Sequence, residues 1–259
     1  MNAELIAYKN KVTEVFTIGI DVLNVSRSLK NISLDLKLLA INGIIQAARI
    51  GDGQGQSLVA LSGFLSSLPA QISPELNDLE NLTANLSSQI TACLNTVRRF
   101  MLYSLGLELF LKQQQSKESE KFENRINIYK ALDLERIEYN PILDSFDSIL
   151  KSNIIFLAKN NLKLIQELND LLFATKTIII QSRNKIERVR RNGFIANYTG
   201  SNISIESSYL LKSQQNFGDL VNNIKNMVNV LNERLDIILD KINDSENFLT
   251  KLIKSGIIR

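Results

Sequence analysis

The chain has no histidine, no tryptophan, one cysteine and three prolines among 259 residues. Those absences exclude His/Cys metal sites, Cys/His or Ser/His nucleophile pairs and any disulfide within the chain. Cys93 reads as a small buried apolar residue in a reducing compartment. Eleven glycines and three prolines are few for this length, which argues against strands joined by turns and for a small number of long helices. An excess of one charge is also missing: 30 Lys and Arg stand against 27 Asp and Glu, so a nucleic acid is not expected as partner. No stretch has the roughly 18 uninterrupted apolar residues that cross a bilayer, and "MNAELIAYKNK" lacks the order of a secretory leader. The expectation is a cytoplasmic protein with no integral membrane segment.

What the chain does have is heptad periodicity. Val15, Ile18, Val22, Val25, Leu29, Ile32, Leu36 and Leu39 alternate by three and four, a coiled-coil seam. It predicts a first helix from about residue 3 to the glycines at 51, 53 and 55. A second seam runs through Leu58, Leu61, Leu65, Leu68, Ile72, Leu79, Leu82, Leu86, Cys93, Val97 and Phe100, ending near 115, with a kink or restart expected at Pro69 and Pro74. The charged segment 116–140 reads as a connector. A third helix is expected from Pro141 to Tyr198, a turn at "YTGSN" (198–202), and a fourth helix on the seam from Phe217 to Leu252.

At a fixed offset of 150 the first and third seams stay in phase, and Asn42-Gly43 falls on Asn192-Gly193. This suggests a duplication of one helical hairpin. Arms of 50 to 60 residues span roughly 75 to 90 Å, and four single-seam helices bury their seams only together. The expected fold is therefore all-α: an elongated antiparallel four-helix coiled-coil bundle, one domain over 1–259, made of tandem hairpins 1–115 and 141–259. Both bends lie at one end, and the chain is a monomeric pseudo-dimer, with further self-association left open.

The string "LLAINGIIQAARIGDGQGQSLVAL" (38–61) resembles the hairpin tip of the cytoplasmic signalling domain of bacterial methyl-accepting chemotaxis receptors. The matching residues are Leu38, Leu39, Ala40, Asn42, Ala47, Ala48, Arg49 and Gly51, with Asp52 for the family's glutamate; allowing one insertion, Gly53, Gln54, Gly55, Leu58, Leu65 and Leu68 follow. The resemblance implies a signal-transduction module whose tip docks a histidine kinase and its coupling protein. Gln46 stands where the family has glutamate, and Phe64-Leu65-Ser66 where it has Glu-Val-Arg. No methylation site is expected at Gln113-Gln114-Gln115 or Gln214-Gln215, which lack the family's flanking pattern.

The expected partner-binding residues are Asn42, Ile45, Gln46, Arg49, Asp52 and Gln54 at the first tip and Asn192 and Phe194 at the second. Arg49 serves equally well as a helix C-terminal cation. Asn42 and Asn192 are candidates for buried register residues, and the glycines read as a turn, not a phosphate cradle. The basic run "RNKIERVRR" (183–191) reads as a solvated face. Phe64, Phe100, Met101 and Tyr103 read as core. Asn153, Asn161, Thr175 and Ser182 interrupt the third seam. With no histidine and no convergent carboxylates, nothing nominates an acid, base or nucleophile, so neither an enzyme nor a cofactor is expected. The alternatives are a structural or protein-interaction bundle of receptor ancestry that has lost kinase coupling and, less favoured, a pore-forming bundle.

Overall fold

The computed structural model describes residues 2–50, 55–115, 138, 143–144, 147–209 and 214–255. Four long helices account for nearly all of them: α1 Asn2–Ala48, α2 Gln56–Gln115, α3 Ser148–Ser208 and α4 Gln214–Ser255. The connector expected at 116–140 lies outside the described residues apart from Glu138. The fold is a helical bundle.

Three sequence expectations need correction. α2 does not restart at Pro69 or Pro74, which lie inside one continuous helix with buried side chains on both sides of them. The third helix starts at Ser148 and not at Pro141. Asp147 caps it by accepting the backbone N–H of Ile149 and of Leu150 at 3.0 and 2.8 Å, which satisfies two donors that the first turn leaves open. The same helix runs straight through "YTGSN" to Ser208. There Thr199 donates to the Ile195 carbonyl and Ser201 to the Asn197 carbonyl. The hydroxyls that make this string a turn signal are thus spent on the helix's own backbone.

The helices group into two compact units, Thr17–Leu86 with Ile178–Glu246, and Met1–Phe16, Ser87–Thr177 and Asn247–Arg259. In the first, Gly43 faces Ser62 and Ser26 donates to the Leu76 carbonyl at 3.1 Å, so residue numbers fall along α1 as they rise along α2. The same countercurrent order relates α3 to α4, where Gly200 faces Ile224 and Gly193 faces Leu231. It also relates α1 to α4 (Gly43 with Leu220, Asp21 with Lys241) and α2 to α3 (Ser57 with Glu206, Asp78 with Lys185). Because Ser57 is in the first turn of α2 and Glu206 in the last turn of α3, both chain reversals lie at one end of this unit.

Its core joins Leu36, Ala40 and Ala47 of α1, Leu58, Leu65 and Leu68 of α2, Ala196 and Ile203 of α3, and Leu220, Val221, Ile224 and Val228 of α4. Further from the reversals, ion pairs cross every helix–helix boundary: Lys30–Glu80, Lys185–Glu75 and Lys185–Asp78, Arg183–Glu246 and Arg190–Asp236, and Lys241–Asp21. The basic run of α3 is only in part the solvated face expected of it. Arg188 and Arg191 are exposed, but Lys185 and Arg188 pair with acids of α2 and Arg183 and Arg190 with acids of α4, because they flank the buried seam on both sides.

Gly43 and Gly193 are not equivalent, as an offset of 150 requires. On α4, Leu220 lies on Gly43 while Leu231 lies on Gly193, eleven residues apart. With Ile224 on Gly200 and Leu220 on Gly43, residue 43 of α1 stands level with about residue 203 of α3, a displacement of about 160, and the burial pattern agrees with it. Residues 22, 26, 29, 33, 36, 40, 43 and 47 of α1 are buried, and so are the residues 160 further on, 182 to 207. On α2, buried 62, 65, 69, 72, 76, 79, 83 and 86 recur as buried α4 residues 159 further on. The second buried row on α1 is Ser26, Ser33, Ala40 and Ala47, not the apolar Val25, Ile32 and Leu39, which are half-buried.

In the second unit Leu107, Leu143, Ile154 and Ala158 form one cluster and Phe100 with Leu164 another. Met101 and Tyr103 are half-buried beside the latter. Of the polar interruptions on α3, Asn161, Thr175 and Ser182 are buried and Asn153 is exposed. Cys93 is buried, and burial pushes its thiol up to about 11 against a weaker opposing hydrogen bond with Thr175, which keeps it protonated and inert.

Candidate functional site

The end of α1 tightens before the chain turns. Arg49 N–H bonds the Gln46 carbonyl and Ile50 N–H the Ala47 carbonyl, both at 3.2 Å, the shortened span that commonly finishes a helix. The returning chain then passes directly over that end: a Cβ on Gly55 would lie 2.2 Å from the Ala47 carbonyl oxygen. No side chain fits there, and so the reversal needs glycine. Val59 N–H to the Gly55 carbonyl, 2.9 Å, starts α2.

Four side chains on the outer side of α1, Leu34, Leu38, Ile41 and Ile45, form an exposed apolar row spaced four, three and four, a single helix face. Ile45 is 46% exposed and Arg49 ends the row in solvent. Asn42 is exposed too, so it is not the buried register residue expected. It lines a shallow groove with Asp35 and Leu38 of α1 and Asn223, Asn226 and Met227 of α4. Gln46 is half-buried with its Oε1 sealed from solvent and unpaired. Asp52 and Gln54 lie outside the described residues.

Of the pair expected at the second tip, Asn192 is half-buried and Phe194 exposed, its ring 5.8 Å from the Arg190 guanidinium, a cation–π distance. Both lie inside α3, more than three turns before its end, and not at the chain reversal. The residues that reach the reversal are Asn202, Ile205, Glu206, Ser207 and Ser208. Their order matches Asn42, Ile45, Gln46, Ala47 and Ala48 at the structural offset of 160. Ile205 is exposed like Ile45, and Glu206 accepts the Ser57 hydroxyl at 3.2 Å. The signal, Asn-x-x-Ile-Glu/Gln followed by two small residues, is present in the sequence, but "YTGSN" places the end of the helix at Tyr198, ten residues before Ser208.

Phe64, expected in the core, is 48% exposed on α2. On α3, Phe194, Tyr198 and Ile205 repeat the exposed row of α1 at the positions of Leu34, Leu38 and Ile45, and Tyr209, one residue past the helix, is exposed as well. Among the described residues no group of three or more acidic, Cys or His side chains is arranged to hold a metal, and no helix is long and apolar enough to cross a membrane. No family model, curated protein or solved structure matches the chain.

Proposed function

We propose that this chain is a non-enzymatic signal-transduction module of the chemotaxis-receptor type, with two tandem hairpins standing in for the two protomers of a receptor. In this reading the end carrying both reversals docks a histidine kinase and its coupling protein. The observation that supports it best is the second tip at Asn202–Ser208. Once the repeat is aligned by the contacts between helices, the poorly matching string around Asn192 gives way to one that carries the family's glutamate, Glu206, where the first tip has Gln46. The docking residues are then Asn42, Ile45, Gln46 and Arg49 on α1 and Asn202, Ile205 and Glu206 on α3. The adjacent exposed apolar rows supply the area that a protein partner buries.

The test is direct binding of the purified chain to a chemotaxis-type histidine kinase and coupling protein. Arg49→Ala and Glu206→Ala are expected to weaken it about tenfold each, as charged residues in an interface core do. If the wild-type chain binds neither protein, the alternative stands: a protein-interaction bundle of receptor ancestry without kinase coupling. The glutamate already replaced by Gln46 on the first tip is the observation that favours it.

A further inference from the structure

Helix α2 leaves the reversal through a stretch that is weak in its own backbone. Pro69 and Pro74 have no N–H, so the carbonyls of Leu65 and Ala70 lose their helical donors. Ser66 and Ser67 turn back to bond the Gly63 and Phe64 carbonyls, both at 2.7 Å, a pattern that loosens and bends helices. Around Gly63 a Cβ would meet nothing within 4 Å, so no neighbouring side chain packs on that position. What keeps residues 56–73 in place is side-chain burial, with Leu58, Leu65 and Leu68 fully enclosed.

Directly beyond Pro74 the situation reverses. Within six residues α2 is fixed to both neighbours, to α3 by Glu75 with Lys185 and Arg188 and by Asp78 with Lys185. It is fixed to α1 by the Leu76 carbonyl with Ser26 and by Glu80 with Lys30. At its other extremity the weak stretch has a single exposed side-chain bond to another helix among the described residues, Ser57 to Glu206.

We infer that residues 56–73 of α2 form a hinged lever. Pro69 and Pro74 are the hinge, Glu75–Glu80 is the fixed base, and the Ser57–Glu206 hydrogen bond is the latch. A ligand that takes Glu206 away from Ser57 removes the polar tie at the lever's tip and leaves apolar burial alone to hold it, while the base stops the motion from passing further along α2. The inference does not depend on which partner docks at the tip.

Hydrogen exchange of the full chain, read peptide by peptide, tests it. Amides of residues 59–73 are expected to exchange at least about tenfold faster than those of 76–86 in the same helix, since local openings follow local stability. Pro69→Ala with Pro74→Ala restores two backbone bonds and removes the difference. Ser57→Ala speeds exchange in 57–68 only. Uniform exchange from 59 to 86, a difference that survives the double proline replacement, or a Ser57→Ala effect that spreads past Glu80 would each overturn the lever.

Discussion

The ends of α1 and α3 occupy corresponding places in the repeat but are built from different chemistry. On α1 the inner rows near the end are small or absent side chains, Ala40, Gly43 and Ala47, and the outer row is aliphatic. On α3 the corresponding inner positions are Gly200, Ile203 and Ser207, and the outer row carries two aromatics. Where α1 has Gly43, drawn onto Ser62 and Leu220, α3 has a fully buried Ile203. At this level α1 admits neighbouring side chains against its bare backbone, whereas α3 fills the space with a side chain of its own and admits Ile224 three residues earlier, at Gly200. The two helices therefore share where they are buried but not how the space is filled, because close packing constrains total volume and leaves its source open.

The sharpest way to break that comparison is to move both positions toward alanine. Ile203→Ala leaves a cavity and is expected to cost about 2 to 5 kcal/mol in denaturant unfolding. Gly43→Ala adds a Cβ 2.7 Å from Ser62 Oγ and 2.9 Å from Leu220 Cδ2, and is expected to cost about 1 to 3 kcal/mol by overpacking. If Gly43→Ala proves neutral, close approach is not what the first tip relies on.

A smaller effect separates the tip core from the ion pairs beyond it. Burial raises the Glu75 carboxyl, but the hydrogen bonds and charges of Lys185 and Arg188 outweigh it and hold the group below its ordinary 4.5. A depressed carboxylate contributes stability above its unfolded value and loses it as the pH falls through the folded one. Glu75→Gln should cost about 1 kcal/mol at neutral pH and leave unfolding less pH-dependent below 4.5. An acid-unfolding profile unchanged by the replacement would count against this pair. Smallest of all, Gly218, where a Cβ meets nothing within 4 Å, should gain about 0.5 to 1 kcal/mol on replacement by alanine, seen as a higher melting temperature.

Much of the fold was legible beforehand. The seam residues Val22, Leu29, Leu36, Leu65 and Leu79 are buried as their periodicity required, while Val25, Ile32 and Leu39 of the first seam are half-buried. The candidate site was half legible. Ile45, Gln46 and Arg49 stand at a chain reversal, whereas Asn192 and Phe194 do not, and Asn202, Ile205 and Glu206 were missed. A hydroxyl-rich string reads as a turn only if its side chains are assumed to compete with the helix, and here Thr199 and Ser201 bond to it instead.

The amino-acid order alone determined the number of long helices and which side of each faces inward, since a three-four alternation of apolar residues buries one stripe whatever its partner. It could not determine how far one repeat is displaced along the other. Ten residues, the difference between offsets of 150 and 160, is a heptad plus three, and that step carries one row of such a stripe onto its neighbour. Tertiary contacts decided the displacement: Leu220 on Gly43, Ile224 on Gly200 and Ser57 on Glu206 are specific in shape and chemistry, and a slipped register would bring Cβ atoms or unpaired polar groups to those points.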